Sequence, residues 1–166
     1  LHLLSRRQRQ MCIRDRNFAP YLLERAQIYM NNDQARNAML DYDAYYKAVN
    51  GQVNDLFYYY REQAALKARQ YQRALDDIVK AVELSPKDLT YRAEHAVVNL
   101  RVGRYEESMK ILNEILKDEP KYGEAYRLLG LCQIQLKKTD EACGNFNKAK
   151  ELGDPNVDEL IKKYCK

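Results

Sequence analysis

The strongest constraint on this chain is a period. Three segments, Asp55–Asp88, Leu89–Tyr122 and Gly123–Asn156, superpose without gaps at a spacing of 34 residues. With each segment numbered from 1, position 20 is Ala74, Ser108 and Ala142, small every time. Position 24 is Ile78, Leu112 and Phe146, and position 27 is Ala81, Ile115 and Ala149. Tyr71 and Tyr105 share position 17, and Gly103 falls at position 15, in a turn. Pro86 and Pro120 stand at position 32, with Pro155 one residue late. Offsets of four and seven put positions 20, 24 and 27 on one helical face. The small residue lets two antiparallel helices approach closely, and the large one fills the space beside it. Proline cannot continue a helix, so it closes each unit.

These positions resemble the tetratricopeptide repeat, over a stretch from about Ala19 to Asn156. The match is strongest in Gly123–Leu152, where Tyr126, Leu129, Gly130, Ala142, Phe146 and Ala149 occupy signature positions. An earlier repeat begins near Ala19, with Ala26 at position 8, Tyr29 at 11, Ala38 at 20 and Tyr42 at 24. It ends on Asn50-Gly51 instead of proline and runs two residues long before Asp55. In the repeat from Leu89, Arg92, His95 and Asn99 replace the usual aromatic, Leu and Tyr. The resemblance implies an all-α fold, an α-solenoid of about four helix hairpins over residues 17–156, divided 19–54, 55–88, 89–122 and 123–156. Val157, Leu160, Ile161 and Tyr164 share one face of a short amphipathic segment. We expect residues 157–166 to form the C-terminal capping helix that such arrays need over their last apolar face.

The same resemblance implies a function. In this family the first helix of each hairpin lines a concave groove through positions 2, 5, 9, 12 and 13. Position 5 is Leu23, Tyr59, Ala93 and Arg127; position 9 is Gln27, Gln63, Val97 and Leu131; position 13 is Asn31, Lys67, Arg101 and Gln135. The expected partner-binding residues are Tyr59, Gln63, Lys67, Val97, Arg101, Arg127, Leu131 and Gln135. Their amides suit the backbone of an extended peptide, and their cations suit an acidic side chain. The partner is therefore expected to be a protein or peptide. Family members that hold chaperone C-termini carry Lys at position 5 with Asn at position 9. No repeat here has that pair, the nearest being Tyr59 with Gln63. Phe57-Tyr58-Tyr59-Tyr60 puts aromatics all around one helix, so some must pack against Tyr42 and Tyr45 while at least one stays accessible.

Charge narrows the alternatives. The 166 residues carry a net charge of +4, but Leu1–Arg16 alone holds five arginines and one acid. Without that segment, 23 basic residues face 23 acidic ones, and no basic stripe runs among the tyrosines, so nucleic acid is not expected as a partner. Arg6–Arg16 resembles the conceptual translation of a sequencing adapter. Residues 1–16 are therefore read as a non-native stub, and His2 and Cys12 carry no argument. The expectation is that native sequence upstream of Asn17 is missing. On that reading the runner-up function is a non-catalytic C-terminal scaffold of a longer enzyme or sensor. Self-association through an uncapped first repeat is a third expectation.

No phosphate loop, G-x-S-x-G or H-E-x-x-H motif is present, and His95 has no partner spacing that makes a triad. The acidic pairs Asp76-Asp77, Glu106-Glu107 and Asp118-Glu119 project about 100° apart on a helix or lie in turns. We expect no enzyme, no small-molecule substrate, no cofactor and no metal. Cys143 precedes the turn near Gly153 by about ten residues and Cys165 follows it by about eleven. Two antiparallel helices bring such residues level, so Cys143 and Cys165 are candidates for a disulfide, while Cys132 reads as packing. The adapter resemblance and an oxidised pair both point toward a bacterial periplasmic or exported protein. No stretch of the sequence is long and apolar enough to span a membrane.

Overall fold

The computed structural model describes residues 19–165; the stub expected at 1–16 lies outside them. The described residues form nine helices and no strand. These are α1 (Ala19–Asn31), α2 (Ala35–Ala48), α3 (Asp55–Lys67), α4 (Tyr71–Leu84), α5 (Leu89–Arg101), α6 (Tyr105–Asp118), α7 (Gly123–Gln135), α8 (Thr139–Glu151) and α9 (Asp158–Tyr164). The chain divides into two compact units, Leu1–Leu84 and Ser85–Lys166. In the first, α1 packs on α2, α3 on α4, and α2 on α3. In the second, α5 packs on α6, α7 on α8, α6 on α7, and α9 closes on α8.

The period becomes the core. Ala38, Ala74, Ser108 and Ala142, all at position 20, are fully buried, as are Ile78, Leu112 and Phe146 at position 24 and Ala81, Ile115 and Ala149 at position 27. Ser108, the polar member, donates its hydroxyl to the Ala96 carbonyl at 2.7 Å, which removes the cost of burying it. In the second unit Ala93, Leu112, Ile115, Ala125 and Leu128 form one cluster. Phe146 and Val157 anchor another, covered by Leu160, Ile161 and Tyr164 of α9.

Each hairpin turns through the same device. Position 15 adopts a left-handed backbone every time: Asp33 at φ 55°, Arg69 at 60°, Gly103 at 81° and Lys137 at 61°. The next amide reaches back five residues, as in Gln70 N to Ala65 O and Arg104 N to Asn99 O. Those bonds satisfy carbonyls that the ending helix would otherwise leave open. The second and third hairpins begin on side-chain caps. Asn54 accepts from the Phe57 amide at 3.0 Å and Asp88 from the Tyr91 amide at 3.1 Å.

Candidate partner-binding surface

In the first unit a polar clasp joins each helix pair. Arg25 of α1 donates two hydrogen bonds to Asp41 of α2, both at 2.6 Å. Arg61 of α3 repeats this with Asp77 of α4, at 2.8 and 2.6 Å. Such planar, bidentate pairing fixes guanidinium orientation as well as position. The Arg61 guanidinium also lies 5.1 Å from the Phe57 ring centroid and 5.0 Å from that of Tyr46. Phe57 in turn meets Tyr42 edge-on at 5.8 Å and Tyr45 at 5.5 Å. The clasp and the aromatic cluster therefore hold one another rigid.

That cluster floors a cavity of about 700 Å³ opening between α1, α2 and α3. Leu23, Glu24 and Gln27 come from α1, and Tyr42 and Tyr45 from α2. Leu56, Phe57 and Tyr60 come from α3, and the α2–α3 loop adds Gln52, Val53 and Asn54. Leu56 is 43% exposed and Tyr60 40%, although both are large and apolar. Tyr42 is almost fully buried, and its hydroxyl makes no hydrogen bond to a described residue. Burial pushes its pKa up to about 12, so the phenol stays protonated as a donor. Gln27 donates to Asn31 at 3.2 Å and keeps its own carbonyl oxygen open.

The residues singled out from the sequence differ in how free they are. Lys67 and Gln135 are exposed, as is Arg101, while Gln63 is half-buried. Lys67 lies 3.3 Å from Asp33, both well solvated, so that pair is weak. Val97 and Leu131 are brought together, half-buried against one apolar cluster of the second unit. Arg127 is committed elsewhere: it pairs with Glu124 at 2.6 Å and with Asp154, whose side chain is 3% exposed, at 2.9 Å. It holds the loop after α8 rather than a free face. Tyr59 is half-buried beside Tyr60, with ring centroids 5.7 Å apart. The accessible aromatic is Tyr60, because the outer face of α3 runs through Leu56 and Tyr60, one helical turn apart.

Sequence reasoning missed Glu24 and the loop residues of the cavity; Leu56 stands at groove position 2 and Tyr60 in the aromatic run, but neither was singled out. A signal for the loop existed. The two residues by which the first repeat overruns the period lengthen the loop that supplies Gln52 and Val53.

Cys143 and Cys165 are joined in a disulfide, with Cα atoms 5.5 Å apart, tying α9 to α8. Cys132 is buried and donates its thiol to Ser108 at 3.4 Å; burial raises its pKa. Burial also lowers the imidazole pKa of half-buried His95. Among the described residues no group of three or more His, Cys, Asp or Glu is placed to hold a metal ion. No helix among them is long and apolar enough to cross a membrane.

Comparison with known proteins places this architecture. The family model for anaphase-promoting complex, cyclosome, subunit 3 matches residues 31–115, and a tetratricopeptide repeat model matches residues 94–157. Small glutamine-rich tetratricopeptide repeat-containing protein 2 of Mycosarcoma maydis is 29% identical over 99 residues, 60% of this chain and 28% of that protein. Heat shock protein STI1 of Saccharomyces cerevisiae is 31% identical over 101 residues, 58% of this chain and 17% of that protein. The chain thus spans well under a third of the length of these relatives. Among solved structures, YrrB, described as a TPR protein with an unusual peptide-binding site, superposes with a TM-score of 0.76 at 19% identity, covering 87% of this chain and 74% of that one. MamA superposes with a TM-score of 0.71 at 21% identity, covering 94% and 87%. Hairpins of fixed length, buried small residues at position 20 and a helical stack shared with these structures lead to one conclusion: the chain belongs to the tetratricopeptide repeat family and folds as an all-α tetratricopeptide solenoid.

Proposed function

We propose that this protein binds extended peptide segments of partner proteins on the outward faces of the first helices of its hairpins, with no chemistry of its own. Tetratricopeptide proteins serve as protein-interaction scaffolds, and the membership carries that much. The observation that supports peptide binding is the aromatic-floored cavity of the first unit, a concave site with a few polar groups at its rim. In the first unit the contacts fall to Gln63, Lys67 and the cavity. In the second unit Val97 and Leu131 offer an apolar strip, with Arg101 and Gln135 for polar contacts. Arg127 is left to its structural role. The peptide-binding site named in the description of YrrB is in keeping with this reading.

The test is selection of a phage-displayed library of random 12-residue peptides on the whole chain. Enriched peptides should bind at least about tenfold more weakly to Tyr60→Asp or to Arg101→Glu, about 1.4 kcal/mol, with helicity by circular dichroism unchanged. A library that fails to enrich, or peptides that ignore both substitutions, would sink the reading.

The second reading, a scaffold region within a longer enzyme, draws support from Serine/threonine-protein phosphatase T of Aspergillus oryzae. That protein is 29% identical over 99 residues, only 20% of its own length. Resequencing across the source locus decides it: a catalytic domain in frame upstream would move the activity there.

A further inference from the structure

We propose that the cavity between α1, α2 and α3 takes a bulky apolar side chain of a peptide that carries an arginine or lysine beside it, with Glu24 receiving the cation. This rests on the peptide-binding reading above and names the class of peptide. Among the described residues lining the cavity, Glu24 is the one with a charge. It is exposed and forms no ion pair with a described residue. The neighbouring Arg25 is already held by both oxygens of Asp41, so it does not neutralise Glu24. The cavity therefore presents an apolar floor with a single negative charge at its rim.

The walls select for size and shape. Leu23, Leu56 and Tyr60 flank the mouth, and Phe57 and Tyr42 close the floor. A buried leucine or phenylalanine side chain removes enough apolar surface from water to act as the anchor. Around it are groups that read a peptide backbone. The Tyr42 hydroxyl is a donor with no partner among the described residues. Asn54 uses its carbonyl oxygen to cap α3 at 3.0 Å, which leaves its amide N–H groups to donate. Gln27 keeps an acceptor. Two donors and one acceptor around an apolar well suit one residue of extended chain, with its neighbour directed at Glu24. A carboxylate at that neighbouring position would meet Glu24 as a like charge and be rejected.

The same library distinguishes the outcomes when it is selected on the wild-type chain and on Glu24→Lys. The wild type should enrich peptides with Leu, Ile, Phe or Tyr within three residues of Arg or Lys. The Glu24→Lys chain should instead enrich Asp or Glu at that spacing, and wild-type winners should bind it at least about tenfold more weakly. Glu24 is on the surface, so both chains should give the same circular dichroism. Peptides that depend on Tyr60 but show no charge preference, or whose affinity Glu24→Lys leaves alone, would overturn the assignment while the peptide-binding reading stands. Peptides indifferent to Tyr60 and Arg101 alike would overturn both. Concentration-dependent self-association abolished by Leu56→Glu would give the cavity to a second copy of the chain, and would also overturn it.

Discussion

A Cβ built on Gly130 would collide with the ring of Phe146, which is itself fully buried. Helix propensity alone favours alanine over glycine by about 1 kcal/mol. Overpacking a closed site costs about 1–3 kcal/mol, so packing decides the sign. Gly130→Ala should lower stability in urea denaturation, and Phe146→Leu in the same chain should recover part of the loss. The Arg61–Asp77 clasp is the other residue with a large lever. Its side chains are 13% and 5% exposed, so removing Asp77 leaves the buried Arg61 only its longer, 3.6 Å contact with Asp43. Asp77→Ala should cost about 3 kcal/mol, whereas Arg61→Met with Asp77→Leu should stay near the wild type. The matching Asp41→Ala should cost less, since Arg25 is 36% exposed and water screens it. A chemical denaturation series across these variants checks the order. Neither clasp was legible as a contact. Arg25 and Arg61 share position 7, as Asp41 and Asp77 share position 23, but a period shows which positions match and not which side chains meet.

The turns carry the signal at the scale of the element. All four hairpins need a left-handed residue at position 15, yet only Gly103 and, less well, Asp33 have side chains that suit it. Lys137 at φ 61° and Arg69 at φ 60° adopt the same backbone at a steric cost of roughly 1–2 kcal/mol. The helix-ending hydrogen bonds and the packed hairpin impose that conformation. Lys137→Gly should therefore raise stability by about 0.5–1 kcal/mol, the relief of strain less the greater entropy of a glycine in the unfolded chain. Thermal unfolding of the single variant measures it. From the sequence, Gly103 marks one turn and the period implies the others. The strain at Arg69 and Lys137 is invisible there, because those residues give no hint of an unusual backbone.

For the molecule as a whole, both units bury the same small and apolar positions and differ in what is added to them. The first adds the Arg–Asp clasps and an aromatic cluster; the second adds a disulfide that joins α9 to α8 through Cys143 and Cys165. Closing a loop of 22 residues should contribute about 3 kcal/mol. Dithiothreitol should lower stability by up to that amount, and hydrogen exchange should quicken first in α8 and α9. A Cys143→Ser chain should match the reduced protein and no longer respond to reductant.

What the sequence by itself determined is the repeated element: hairpin length, the buried faces at positions 20, 24 and 27, and membership of a family that scaffolds protein interactions. Those follow from local periodicity, because a helix places side chains at fixed angles whatever packs against it. What only the tertiary structure decided is which outward residues are free. Arg127 looked like a groove cation and is spent on Asp154 and Glu124. Tyr59 was expected to line the groove, and the neighbouring Tyr60 is the more exposed of the two. The cavity beneath Tyr60 needs three helices and a lengthened loop at once. Pairing and enclosure arise between elements, where small rotations choose among neighbouring side chains, and no pattern within a single element records that choice.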